Sequence, residues 1–387
     1  MDPQLYSSSK KGIMKSVLFF SLMNGSAWGG SEELWYKTAL WMCSNGYEVG
    51  ICCYDWEEKK NKLQVLQNKG CTLYLLPEKK ILKSFLGKWK LKAAIKKIPF
   101  EKFDFVLVNQ GGWEEIIHGP FKKLHERLNK YAICYHNYNS NAKLPVSKQN
   151  LLQQWINKAA VNIALAGKIF EVLKTNFDIT VPNQVVYYNP ITFQPPVLKT
   201  NYPLLENNNY VWVMLAELDI YRKAQDVLIE TLAAEKWKGR NWVLHLYGKG
   251  KDEAFLKKLI EDCSLQDKII LQGFTDNVQK VLSDCHFLFQ ITHIDAMPIS
   301  VVEAMAVARP CIVSNVGDMT KWISHGINGF VCERPTIENI DAVLEECWQQ
   351  KDNWGNFGEH AYQCFIQKYP QPYEEKMAAL LTTYYHK

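Results

Sequence analysis

The stretch 295–306, DAMPISVVEAMA, holds two carboxylates, Asp295 and Glu303, eight positions apart, with Pro298 and an otherwise apolar run between them. Pro298 suits the first turn of a helix, where its missing N–H would have had no intrahelical acceptor. That places Asp295 in the loop before the helix and Glu303 in its second turn. A helix start carries unsatisfied amides and the positive end of the macrodipole. The segment Met297, Pro298, Ile299 and Ser300 is therefore a candidate cradle for an anion such as a phosphate. A simpler alternative makes Asp295 a helix cap and Glu303 a solvated residue. Glu303, however, stands inside SVVEAMAVA, among apolar side chains, and an acid buried there needs a partner.

Other stretches carry less specific signals. CYHNYN puts His136 just after an apolar run that reads as a strand. YGKGKDE (247–253) has a GxG, but Glu253 stands where a dinucleotide fingerprint has its third glycine, so NAD binding is not expected. There is no DxD and no His/Asp/Glu cluster at metal spacing, which favours a protein-only anion site with no metal and no cofactor. From Lys79 to Lys97 the chain reads KKILKSFLGKWKLKAAIKK, eight lysines and no acid. Leu82, Phe85, Leu86 and Trp89 fall on one stripe at helical spacing. Such a helix either turns that stripe to the core with its lysines solvated, or lies on an anionic membrane surface. Nucleic acid is a weaker partner for it and is not expected.

The elements that must position these residues alternate along the chain. The 387 residues are long for one core and suggest two domains. Apolar runs at 16–23, 47–54, 71–76, 103–110, 131–136 and 183–190 are separated by helical patterns, as in a parallel sheet covered on both faces. Lys10, Lys11 and Lys15 precede the first run, but it leads into a glycine-rich loop and a helix, so a strand rather than a signal segment is expected. A Pro- and Asn-rich linker follows at 191–209, and then runs at 210–217, 242–248, 268–274, 286–292 and 310–315 repeat the pattern. The fold class expected is α/β, two doubly wound Rossmann-like domains facing a cleft. The first spans 1–192 and the second 193–359, with a helix at about 360–387 packing back on the first. Ligands bind such sheets beyond the carboxyl ends of their strands. The net charge of +5 is mild and does not call for nucleic acid. The 11 cysteines lack metal spacing and read as reduced thiols of a cytoplasmic protein.

The acid, seven residues, Glu pattern followed by AMAVARPCIVSNVGDMTKWISHGINGFV resembles the retaining group 1 glycosyltransferases of GT-B architecture. GGSEELW, VVYYNPI, RKAQDVLIETLA, LHLYGKGKDEAFLKKLI and LQGFTDNVQKVLSDCHFLFQIT resemble further motifs of that family, in the same order along most of the chain. The resemblance implies that Glu303 hydrogen-bonds the ribose of a nucleotide sugar and that Asp295 contacts the donor sugar. It implies that Lys223 neutralises the departing diphosphate, so Asp295 and Lys223 are the catalytic candidates. Gly29 and Gly30 would let the first domain approach the phosphates, amides near Gly273 and Phe274 would read the base, and His136 is a candidate sugar contact.

Three positions depart from the family. Glu217 stands where an arginine usually binds phosphate, and a carboxylate there would repel a diphosphate unless Arg222 compensates. Asp295 is one methylene shorter than the usual Glu, and Ala296 replaces the usual Gly. The function expected is a metal-independent hexosyl transfer from a UDP- or GDP-type sugar to an acceptor hydroxyl. The acceptor expected is a glycan or lipid-linked chain of a surface polysaccharide or lipopolysaccharide, in the cytoplasm or at the inner membrane face. A homologue that only binds nucleotide or glycan, and a nucleotide-sugar epimerase, are the alternatives.

Overall fold

The computed structural model describes residues 14–23, 27–136, 138–139, 141–196, 201–205, 207–297 and 299–387. Two wholly parallel sheets dominate it. The first contains β1 (Ser16–Ser21), β2 (Glu48–Tyr54), β3 (Thr72–Leu76), β4 (Phe105–Gln110), β5 (Tyr131–Tyr135), β6 (Val161–Ala164) and β7 (Gln184–Val186), in the order β3-β2-β1-β4-β5-β6-β7. The second contains β8 (Tyr210–Leu215), β9 (Trp242–Tyr247), β10 (Ile269–Gly273), β11 (Phe287–Gln290), β12 (Cys311–Ser314) and β13 (Gly329–Cys332), in the order β10-β9-β8-β11-β12-β13. Both are open doubly wound sheets, and their crossovers reverse between β1 and β4 and between β8 and β11. Each reversal opens a crevice at the carboxyl edge, where ligands sit in such folds.

The continuous apolar runs are explained by burial on both faces. All six residues of β1 are buried. Val17 and Phe19 join a core with Leu34 and Trp35 of the helix Gly30–Ser44. Leu18 and Phe20 enter a second core on the opposite face, where Phe20 packs edge-on against Phe100 at 5.6 Å and Phe121 at 6.0 Å. This alternation follows from the two-residue period of a strand. In the second domain Trp212 of β8 stacks on Trp242 of β9, with ring centroids 5.1 Å apart and planes within 3°.

Two four-residue strands, β6 and β13, escape the sequence reading. The return to the first domain also begins later than 360. The helix Trp354–Lys368 packs on the helix Ile299–Ala306 and on β13, in the second domain. Pro370 and Pro372 then interrupt the chain, and only the helix Tyr373–His386 lies on the helix Gly30–Ser44. Tyr187 Oη donates to the Tyr373 carbonyl at 2.9 Å, and Tyr373 Oη donates to the Tyr188 carbonyl at 2.8 Å, fastening that helix to the end of the first domain. A second clasp joins the domains directly: Asp318, fully buried, accepts from the Gly167 amide at 2.6 Å.

Phe20→Ala would remove a wholly buried ring with two edge-on partners. A loss of about 3–5 kcal/mol is expected, read as a fall of several degrees in the thermal midpoint. An unchanged midpoint would mean that this face of the first sheet is not packed as described.

Candidate functional site

The carboxyl edges of the two sheets face each other across a cleft of about 510 Å³. From the first domain it is lined by Gly30 and Ser31 after β1, His136 after β5, and Asn189 and Thr192 in the segment leading to the second domain. From the second domain come Glu217, Arg222 and Lys223 after β8, and Asp295, Met297, Ile299, Ser300 and Glu303 after β11. Most of these residues lie in the loops of the two reversal points, so the topology brings together residues as far apart in sequence as Gly30 and Glu303.

The domains approach one another closely at Gly30. A Cβ there would lie 2.5 Å from Ile299 Cδ1 and 2.8 Å from Asn189 Nδ2. Gly29 has open space around it and an extended φ of −176°. The second glycine of the pair is the one that packing requires.

Lys223 and Asp295 meet at 2.5 Å, both mostly buried. An ammonium has three donor positions, so one bond to Asp295 leaves two for a ligand. Arg222 also lines the cleft and lies 3.4 Å from the Glu217 carboxylate, with both side chains about half exposed. The two adjacent cations therefore reach the same cavity, because the short helix Ile220–Lys223 turns tightly at the loop's end. Three donors clamp that loop through the Arg222 carbonyl: Thr292 Oγ1 at 2.6 Å, the His293 amide at 2.8 Å and the Ile294 amide at 3.3 Å.

Glu303 is neither solvated nor a surface residue. It is 3% exposed. Its Oε1 accepts from the Thr192 amide at 2.8 Å and from Thr192 Oγ1 at 2.6 Å. Burial pushes its pKa up, and the two Thr192 bonds oppose the shift. The chain thus holds a buried carboxyl in the cleft wall at the junction of the domains, able to accept hydrogen bonds from hydroxyls. Met297 is buried beside it, and Ile299 and Ser300 open the helix Ile299–Ala306. Ser300 Oγ donates to Gln290 Oε1 at 3.1 Å. Pro298 lies outside the described residues.

His136 is buried, and its Nε2 lies 2.6 Å from Asn109 Oδ1. Burial pulls its pKa down to about 3, so the ring is neutral at physiological pH.

Gly273 and Phe274 do not line the cavity. They end β10, the edge strand, two places from β8 in the sheet order. At about 4.8 Å per strand that is roughly 10 Å from the reversal point. Val278 forms the cleft wall on that side. The sequence reading missed Ser31, Asn189, Thr192 and Gln290. Only Gln290 left a signal, a polar residue inside the apolar run HFLFQIT. Among the described residues, no group of three or more His, Cys, Asp or Glu side chains is arranged to hold a metal ion.

Residues 202–363 match the family of group 1 glycosyl transferases. The chain is 25% identical over 253 residues to N-acetyl-alpha-D-glucosaminyl L-malate synthase of Bacillus anthracis, a match covering 62% of this chain and 63% of that one. It is 28% identical over 151 residues to poly(ribitol-phosphate) alpha-N-acetylglucosaminyltransferase of Staphylococcus aureus, covering 38% of this chain and 30% of that one. The matches thus span less than two thirds of either relative. Anabaena Alr3699/HepE, solved in complex with UDP, superposes with a TM-score of 0.73 at 16% identity, over 96% of this chain and 100% of that one. The match to the group 1 glycosyl transferases lies in the second domain, and the two domains together have the GT-B architecture.

A buried neutral histidine ties stability to pH. Below about 6.5 the unfolded chain takes up a proton at His136, whereas the folded protein resists until about 3. Stability from this group is therefore complete above 6.5 and is lost as pH falls. His136→Gln should shrink the drop in thermal midpoint between pH 7 and pH 5. An equal drop in both proteins would show that the ring protonates in the folded state.

Proposed function

We propose that this protein is a retaining glycosyltransferase that moves a hexosyl unit from a UDP- or GDP-type sugar to a hydroxyl of a glycan or lipid-linked acceptor in surface polysaccharide or lipopolysaccharide synthesis. The observation that carries this reading is the meeting, in one cleft between two doubly wound sheets, of Lys223 and Arg222 with Asp295, Glu303 and the first turn of Ile299–Ala306. Breaking the bond between the sugar and the diphosphate loads charge onto the phosphates. Cations and oriented amides stabilise that charge, a role the reading gives to Lys223, Arg222 and the helix start, without a metal. Asp295 and Glu303 face hydroxyls, of the sugar and of the ribose respectively. As the new C–O bond forms, the acceptor's proton passes to an oxygen of the departing phosphate, so no separate base is assigned. The family match and the relative named as a poly(ribitol-phosphate) alpha-N-acetylglucosaminyltransferase support this reading.

Glu217 does not block it. Arg222 sits against Glu217, which offsets the repulsion a lone carboxylate would exert on a diphosphate.

The reading includes work at an anionic membrane surface. In the segment 79–97 the helix Phe85–Lys96 starts at Ser84, whose side chain accepts from the Gly87 amide at 3.0 Å. Leu91 and Ile95 face the core, while Phe85, Leu86 and Trp89 are 89%, 59% and 61% exposed. Of the stripe expected from spacing, Phe85, Leu86 and Trp89 are therefore turned outward with lysines around them, while Leu82 packs against the core. The helix follows β3, which runs parallel to the other strands, so its start lies on the same edge of the first sheet as the cleft. Three unpartnered apolar side chains amid cations suit the headgroup boundary of an anionic bilayer. Among the described residues, no helix is long and apolar enough to cross a membrane.

Calorimetry with UDP, GDP and their hexoses, with EDTA present, tests the donor site. One nucleotide should bind, and Lys223→Ala should weaken it about 10- to 100-fold, the worth of a charge-assisted bond. Binding that is absent, or indifferent to Lys223, would refute the donor reading. Product analysis then separates transfer from epimerisation, since an epimerase releases an altered nucleotide sugar without an acceptor.

Vesicle flotation tests the membrane contact. The protein should float with phosphatidylglycerol vesicles and not with phosphatidylcholine alone. Replacing Phe85, Leu86 and Trp89 by Ser should abolish flotation with the thermal midpoint unchanged, each side chain giving up roughly 1.5–3 kcal/mol of burial. Equal flotation of both proteins would rule out insertion of this helix.

A further inference from the structure

Beneath the first-domain wall of the cleft runs a chain of buried polar groups that the proposed chemistry does not use. Glu32 and Lys59 form an ion pair at 3.2 Å in which both side chains are wholly buried. Glu32 Oε1 also accepts from Ser21 Oγ at 3.1 Å, and Glu32 Oε2 accepts from Ser31 Oγ at 2.5 Å. Ser21 Oγ in turn lies 3.3 Å from Asn109 Nδ2, and Asn109 Oδ1 lies 2.6 Å from His136 Nε2.

The direction of every bond in this chain follows from its first member. A carboxylate only accepts, and the buried Lys59 ammonium holds Glu32 in that form. Glu32 therefore claims the single hydroxyl protons of Ser21 and Ser31. Ser21, its proton spent, can only accept from Asn109, so the amide must turn Nδ2 toward it. That leaves Oδ1 facing His136 and requires the ring to carry its proton on Nε2. The Cys134 sulfur, 3.4 Å from the same nitrogen, is fully buried, and burial pushes its thiol pKa up, so it stays a neutral neighbour. Nδ1 is then a bare lone pair. It is buried and has no hydrogen-bond partner among the described residues, and Asn189 Oδ1, on the same wall, is also buried without one.

We infer that the Glu32–Lys59 pair, acting through Ser21 and Asn109 as positioning residues, fixes His136 as the Nε2–H tautomer and makes this wall a set of hydrogen-bond acceptors. Ser31 Oγ, His136 Nδ1 and Asn189 Oδ1 then call for a ligand that donates, the hydroxyls of a sugar, and disfavour phosphate oxygens, which only accept. The first-domain wall thus adds hydroxyl acceptors to Asp295 and Glu303, while charge is neutralised from the second domain. The tautomer stands independently of the donor reading, and a test on the ligand-free protein keeps the two separable.

The test is long-range ¹H–¹⁵N correlation on protein labelled at histidine, with the His136 signals assigned by their loss in His136→Gln. The expected result near pH 7 is a protonated-type Nε2 and an unprotonated-type Nδ1. In Ser21→Ala, Asn109 loses the partner that fixes its amide, and the His136 shifts should move toward a mixture of tautomers. If Ser21→Ala does not fold, Asn109→Ala is expected to give the same mixture. An Nδ1–H tautomer or an imidazolium in the native protein overturns the inference. So does a tautomer that stays wholly Nε2–H after the chain is cut.

Discussion

The contact on which the site depends is the meeting of two helix starts at Gly30 and Ile299. Each helix begins at the carboxyl edge of its own sheet, just past the point where strand order reverses. With those edges together, a methyl group on Gly30 would force the ends of the Ile299 and Asn189 side chains to shift. The contact is local, yet it sets the width of the cleft, because the walls on either side are anchored to buried strands. The junction is reinforced by polar bonds that cross it. Thr192 holds Glu303, and Asp318 holds the Gly167 amide. A carboxylate that accepts from backbone amides at a helix start is stabilised by the same end charge that would attract an anionic ligand.

Burial has opposite effects on the two groups it perturbs most in the cleft. In Glu303 it disfavours the anion, raising the pKa against the pull of Thr192. In His136 it disfavours the cation, leaving a neutral ring. The neutral His136 ring adds no charge to the wall opposite Lys223. The cationic character of the cleft is thereby concentrated at Arg222 and Lys223, on one loop held by three donors to one carbonyl.

Much of this was legible in the sequence. Parallel sheets buried on both faces write themselves as unbroken apolar runs, so eleven of the described strands could be placed from SVLFFS, FVLVNQ and their like. β6 is interrupted by Asn162 and β13 opens on Gly329, so neither four-residue strand stands out as an apolar run. Asp295 and Glu303 were visible because an acid inside an apolar run is costly without a partner. The partner itself, Thr192, was not visible, because it lies 111 residues away and reaches Glu303 only once the domains close. The basic helix shows the same limit. Spacing gave a stripe of Leu82, Phe85, Leu86 and Trp89, but which side of a helix meets the core is decided by its neighbours. Here Leu91 and Ile95 won that face, and the aromatic residues were left outside.

The departure at Glu217 shows how charge and exposure combine at the phosphate side. Arg222 and Lys223 each have a carboxylate partner, but the two pairs are not equivalent. Arg222 and Glu217 are about half exposed and 3.4 Å apart, and an ion pair in that setting is worth on the order of 1 kcal/mol or less. Lys223 and Asp295 are mostly buried and in close contact, where removing one partner would leave the other charge desolvated. In the proposed reading, an arriving diphosphate would draw Arg222 away from Glu217 at little cost, and Lys223 would add phosphate contacts through its remaining donors without releasing Asp295. In that reading Arg222, five residues after Glu217, is the mobile cation, and the buried Lys223–Asp295 pair is the fixed point of the site.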